Sequence, residues 1–263
     1  MPPDGLPGAI SRAYAWHRAF GNARFETALA TFVVNEAHPR VWSANHVSRV
    51  AASTRAEIET VIAEMEDRFA HCDHRAVVTD GFTPPSFTAR LAFDSFREQT
   101  PVIQMILIDE PPRSAPSDVV LRAVDADTDW TLLARLVEAN FREGRPSEPK
   151  ETALEVARGL VDGYRRKSRV AQFFIAEIPG APCAYGSMVE CPNDLGMLED
   201  FFTLPEFRGR GVAATILRHC IGRLRDKGRR NIFIGAYATG RARHLYARLG
   251  FAPLMISREW VKA

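Results

Sequence analysis

Cysteine is scarce in this chain: Cys72, Cys183, Cys191 and Cys220 are the four in 263 residues. None forms a C-x-x-C pair, so neither a disulfide framework nor a zinc ribbon is expected. Long apolar runs are absent. The longest, such as Thr31-Phe32-Val33-Val34 and residues 102–108, fall far short of the ~18–20 residues of a membrane span. Met1-Pro2-Pro3-Asp4-Gly5 supplies neither the basic nor the apolar region of a secretory signal. A reduced, cytoplasmic protein with no membrane partner is expected. Charge of one sign is also lacking: the net charge is +2, too little to argue for a nucleic-acid partner. An apolar content of 46% excludes wholesale disorder.

What charge there is lies unevenly. Residues 1–116 hold 11 Arg, no Lys and 14 acidic residues, whereas residues 117–263 hold 23 basic and 18 acidic ones. The C-terminal half is the expected seat of an anionic ligand. Pro111-Pro112-Arg113-Ser114-Ala115-Pro116-Ser117 resists helix and central strand alike and reads as a linker. It divides the chain into residues 1–110 and 118–263.

Hydrophobic periodicity predicts, in the second half, strand 119–123, helix 127–140, a polar loop 141–150 and helix 151–166. A hairpin of strands 170–178 and 183–190 follows, turning at Pro179-Gly180-Ala181-Pro182. Then come strand 198–203, helix 211–227 ending at Gly228, strand 231–237, helix 241–249 ending at Gly250, and strand 251–261. The fold class is α/β, a mixed sheet with helices on its faces. The first half reads as strand 47–52, helix 54–69, strand 75–79, helix 85–96 and strand 101–108. That β-α-β-α-β order repeats residues 198–261 element for element and is read as an internal duplication.

The two copies differ at the start of the long helix. In the first, Thr54-Arg55-Ala56-Glu57 is a capping box whose side chains satisfy the first amides. In the second, Arg208-Gly209-Arg210-Gly211-Val212-Ala213 leaves a run of backbone N–H groups uncovered at the positive end of a helix. Such an end binds phosphate, and glycine lets a diphosphate approach the backbone. The pattern Gly209-x-Gly211-x-x-Ala214 also fits a dinucleotide fingerprint. That reading needs glycines tight against the preceding strand, yet residues 204–208 intervene. It also needs an acid closing the next strand, which ends Gly235-Ala236-Tyr237. His71-Cys72-Asp73-His74 has metal-ligand residue types but lies in a helix-to-strand turn without a second ligand pair, so no metal is expected. His219-Cys220 reads as packing.

The stretch from Leu198-Glu199-Asp200-Phe201-Phe202-Thr203 to Arg208-Gly209-Arg210-Gly211-Val212-Ala213 resembles motif A of the GNAT superfamily of acyl-CoA-dependent N-acetyltransferases. Arg208, Gly211 and Ala213 meet that family's R/Q-x-x-G-x-G/A pattern. Leu245-Tyr246-Ala247-Arg248-Leu249-Gly250-Phe251 is similar to its Y-x-x-x-G-F segment. The resemblance covers residues 118–263. It implies two related GNAT-like domains in tandem, the first degenerate and without the pyrophosphate loop.

The resemblance also implies acetyl-CoA as cosubstrate and a small-molecule amine or peptide as acceptor. Phe201, Phe202 and Thr203 would line the pantetheine arm. Arg208, Gly209, Arg210, Gly211, Val212, Ala213 and Ala214 would hold the pyrophosphate. Thr239 and Ala242 would flank the cofactor's other side, although members often have Asn where Thr239 stands. Tyr246 matches the general acid and Glu199 the base acting through water, with Asp200 its rival. Strand alternation would put Glu199, Phe201 and Thr203 on one face and Asp200 on the other. Arg142, Glu143, Arg145 and Glu148 of the 141–150 loop would border the acceptor. A GNAT-like protein that binds acyl-CoA without transfer, as sensor or scaffold, is the alternative. Three roles are open to the first domain: covering the active site, pairing two chains into a homodimer, or stabilising the fold.

Overall fold

The computed structural model describes residues 5–112 and 118–263. Residues 113–117 of the expected linker lie outside the described residues. In chain order the elements are α1 (Gly5–Ala19), β1 (Ala23–Glu26), β2 (Thr31–Val34), β3 (His46–Ser48), α2 (Arg55–Arg68), β4 (Arg75–Asp80), α3 (Pro85–Phe93), β5 (Arg97–Glu98) and β6 (Val102–Leu107). They continue as β7 (Val120–Ala123), α4 (Asp127–Gly144), α5 (Lys150–Lys167), β8 (Ala171–Ile178), β9 (Ala181–Glu190), β10 (Leu195–Thr203), α6 (Val212–Asp226), β11 (Asn231–Tyr237), α7 (Ala242–Arg248) and β12 (Phe251–Lys262).

The chain forms two compact units. The first comprises residues 1–104, 236–240 and 253–263, and the second residues 105–235 and 241–252. This differs from a linear cut at residues 111–117, because the C-terminal strand completes the N-terminal unit. In that unit β1 pairs antiparallel with β2 and β2 with β3, while β3 runs parallel to β4. Residues Ser257–Lys262 of β12 pair antiparallel with β4. Its core gathers Phe32, Val47, Ile58, Val61, Met65, Phe69, Val77, Phe87 and Leu91. Arg18 of α1 is tied to Glu259 of β12 at 2.6 Å.

The second unit carries the sheet β11-β10-β9-β8-β7. Strands β7 to β10 form an antiparallel meander, and β10 runs parallel to β11. Helix α6 turns Ile216, Leu217, Cys220, Ile221 and Leu224 into the interior. Each unit therefore contains a parallel β-α-β: β3-α2-β4 in the first and β10-α6-β11 in the second.

Half of the expected loop 141–150 is helix. α4 continues to Gly144, and only residues 145–149 separate it from α5. Pro146 explains the stop, since it disfavours helix at Arg145. Arg142 and Glu143 are thus helix-borne.

Candidate active site

Strand β10 is the centre of the site. Its parallel pairing with β11 runs from Leu195–Asn231 to Leu198–Ile234. Its antiparallel pairing with β9 shifts register between Glu199–Ser187 and Phe202–Tyr185. Asp200 and Phe201 therefore stand opposite Gly186 alone, which is a β-bulge. The bulge breaks the alternation expected for residues 199–203, with Asp200 at φ +60°. A β-carbon on Gly186 would lie 2.5 Å from the Phe201 ring, so glycine there lets that ring settle on the sheet.

The bulge brings acids and phenols together. Glu199 bears electrostatically on Tyr246, Tyr164 and Cys191. Asp200 bears electrostatically on Tyr164 and Tyr185. Burial raises all three phenols well above the usual tyrosine value, and the carboxylates add to it. Burial also pushes the Cys191 thiol up to about 12, with Glu199 contributing. Tyr246 is 6% exposed on α7, its ring 6.3 Å from that of Phe251. Its phenol thus stays protonated through neutral and mildly alkaline pH.

After β10 the chain makes a short 3₁₀ turn, Pro205–Phe207, and enters α6 through Gly211. Gly209 and Gly211 both have φ +79°, and open space surrounds a β-carbon built on either. Glycine is required here by backbone conformation rather than by crowding. No side chain caps α6. The Thr215 amide is bonded to the Gly211 carbonyl at 3.0 Å, so the amides of Val212, Ala213 and Ala214 precede that bond. They are among the helix N–H groups that have no intrahelical acceptor. Arg210 is exposed and Val212 is buried beneath the loop.

Arg208 does not extend from the loop as an unpaired cation. Its Nε donates to the Thr203 carbonyl at 2.9 Å and its Nη2 to Glu143 at 2.6 Å. It braces β10 against α4, a role that motif spacing does not reveal. Phe202 is buried beside Tyr185, their ring centroids 6.0 Å apart, while Phe201 and Thr203 are half-buried. Thr239 is exposed in the turn after β11 and is counted with the first unit; Ala242 is exposed at the start of α7 in the second. Gly250 closes α7 at φ +92°, where a β-carbon would meet the Asp109 carbonyl at 2.4 Å. That glycine serves a close backbone approach.

Neither weaker candidate gathers ligands. His71 Nε2 lies 3.0 Å from Asn45 Oδ1, and His219 meets Phe174 edge-on at 4.8 Å. Among the described residues no group of three or more His, Cys, Asp or Glu is placed to hold a metal.

Comparison with known proteins finds relatives of the second half. Residues 130–251, which include Tyr164, Glu199, the glycine loop and Tyr246, match the model of the Acetyltransferase (GNAT) family. An uncharacterized N-acetyltransferase of Methanocaldococcus jannaschii is 28% identical over 99 residues. That match spans 34% of this chain and 43% of the relative.

The GNAT fold recurs among solved structures. A GCN5-related N-acetyltransferase from Kribbella flavida superposes with a TM-score of 0.72 at 12% identity, covering 99% of this chain and 96% of its own. A functionally unknown conserved protein from Staphylococcus epidermidis gives 0.73 at 13%, covering 97% and 99%. A tandem GNAT protein from the clavulanic acid biosynthesis pathway gives 0.61 at 14%, covering 89% and 78%.

Proposed function

We propose that the protein is an N-acetyltransferase moving an acetyl group from acetyl-CoA to a primary amine of a small molecule or peptide. The observation that carries this reading is the helix start at Gly211 that no side chain caps, in the same unit as a buried Tyr246 that feels the charge of Glu199. A base and an acid are what amide formation from a thioester requires, because the amine must lose a proton and the thiolate must gain one.

The residues suit acetyl-CoA as substrate. The glycine-led start of α6, with Arg210 beside it, would hold the pyrophosphate through the amides of residues 209–214. The bulged end of β10, beyond its pairing with β11, would offer backbone amides at residues 201–203 to the pantetheine arm and the thioester oxygen. The thioester supplies the activated acyl group. Glu199 takes the amine's proton through a water molecule. Tyr246, its phenol kept protonated, donates to the departing sulfur. The acceptor would enter beside α4 and α5, where Asn140 and Tyr164 reach the sheet. A cytoplasmic location accords with this use of acetyl-CoA.

The test is thiol release from acetyl-CoA across a panel of primary amines, with Tyr246→Phe as control. The expected result is turnover that falls ~10²–10⁴-fold in kcat in the variant, the scale of a lost acid catalyst, while CoA affinity is kept. Full activity in Tyr246→Phe removes that residue from the mechanism. CoA binding without turnover of any amine would replace transfer by the sensor or scaffold reading.

A further inference from the structure

In the first unit, strands send alternate side chains to opposite faces of the sheet. Val47 of β3 and Val77 of β4 enter the apolar core with α2. The face toward α1 is polar instead. On it His46 is 0% exposed, Ser48 3%, Gln104 1% and Ser257 4%. Burying a polar group costs free energy unless it is hydrogen-bonded, so polar side chains gathered under one helix need a reason.

Between α1 and that face lies a partly open cavity of about 20 Å³, room for roughly one hydroxyl-sized group. Arg18 of α1 borders it, with Ser48 and Arg49 at the end of β3, Asp80 of β4, Gln104 of β6 and Ser257 of β12. Part of this lining is already engaged. Arg18 Nη2 donates to Glu259 at 2.6 Å. Asp80 accepts from the Ser11 hydroxyl, and from the Phe82 amide at 2.9 Å. Gln104 Nε2 donates to Ser257 Oγ at 3.0 Å. Three buried atoms are left without a hydrogen-bond partner among the described residues: Arg18 Nε, Ser48 Oγ and Gln104 Oε1. Turning the Gln104 amide over would change which of its atoms is left, not remove it.

The chemistry of those atoms selects the occupant. A hydroxyl both donates and accepts, so it can serve Gln104 Oε1 together with Ser48 Oγ or Arg18 Nε. An ammonium cannot accept, and it would set a second cation beside Arg18. A carboxylate cannot donate to Gln104, and it would lie near Asp80. At the mouth, Arg49 is exposed and held at φ +52°. It offers a cation to whatever projects from the cavity. We propose that the first unit carries a binding site of its own, for a short hydroxycarboxylate. The hydroxyl enters between α1 and the sheet, on Ser48 and Gln104, and the carboxylate stays at the mouth against Arg49. This site is separate from the transfer reading and does not depend on it.

Three probes test the site, titrated into the isotope-labelled whole protein and followed by backbone amide shifts. They are glycolate, ethylene glycol, which lacks the carboxylate, and propionate, which lacks the hydroxyl. Glycolate should move the amides of residues 46–49 and of Asp80 and Gln104. The other two should bind about tenfold or more weakly, the scale of one lost hydrogen bond to a charged group. Ser48→Ala and Arg49→Gln should each weaken glycolate by a similar factor, and Arg49→Gln should remove its advantage over ethylene glycol. Ser48→Ala deletes an oxygen that has no partner within the described residues, so the fold should be kept. No shift with glycolate would overturn the proposal and leave the cavity to water. Equal binding of all three probes would overturn it as well, as would shifts confined to the second unit or glycolate binding unaltered in both variants. If Ser48→Ala does not fold, Arg49→Gln and the three probes carry the decision.

Discussion

Two helices in this molecule follow a strand in the same parallel β-α-β arrangement, yet they begin in opposite ways. At α2 the Thr54 hydroxyl accepts from the Glu57 amide, and the Glu57 carboxylate accepts from the Thr54 and Ser53 amides at 2.9 Å each. At α6 the cap position is Gly211 at φ +79°, with no side-chain bond, and the nearby Arg208 is turned to Glu143. Both helices bury one apolar face, so packing does not separate them. What separates them is who satisfies the first amides. A helix that caps itself has spent its donors internally, while one that begins on glycine keeps them for an anion. Under the proposed function, this difference would put the anion site in the second unit and leave α2 a stability role.

The strongest way to break this comparison is to close the bare end. Gly211→Val places a β-branched side chain at a positive φ, which the backbone can relieve only by moving the loop. Losing two amide contacts to a charged phosphate, about 1.5–3 kcal/mol each, should weaken CoA binding at least ~100-fold in calorimetric titration, with the fold retained. CoA affinity within a few-fold of wild type would remove the loop from the site.

At the self-capped end the effect should be smaller and of another kind. Thr54→Ala should cost about 1 kcal/mol, the usual loss for an N-cap, seen as a melting temperature lower by roughly 2–4 °C. CoA affinity should not change. A variant that lost CoA binding would erase the functional contrast between the two ends.

The smallest effect concerns pH. Backbone hydrogen bonds from Thr54 and then Ser53 hold the Glu57 carboxyl down at about 2, against an ordinary 4.5. A lowered carboxylate stabilises the fold above 4.5 and loses that contribution as pH falls through about 2. Glu57→Gln should therefore melt below wild type at pH 7, and the gap should narrow between pH 4.5 and 2. A gap constant with pH would deny the carboxylate that part.

Most of the elements around the site were legible because their signals are local. α2 runs from its capping box to Arg68, α6 starts after Gly211, and β11 spans the expected 231–237. Each has a period and a stop signal within its own residues. The features that escaped are contacts between distant parts of the chain. The bulge at 199–202 has no glycine or proline to announce it; Asp200, one of the few residue types that tolerate a positive φ, is the only hint. The Arg208–Glu143 bridge joins residues 65 apart in sequence, and a motif cannot show that its arginine is already engaged. β12 reads plainly as a strand, but periodicity does not tell a strand its partner, and residues 253–263 complete the first unit.

The most direct test of the contrast is thermal melting of the whole protein with CoA, acetyl-CoA and NADH in parallel. A ligand at ~100 times its Kd adds about 2.7 kcal/mol, a shift of several degrees at roughly 2–4 °C per kcal/mol. The bare start of α6 predicts that shift with CoA and acetyl-CoA, none with NADH, and its loss in Gly211→Val but not in Thr54→Ala. No shift with either CoA species, or a shift that survives Gly211→Val, would contradict it.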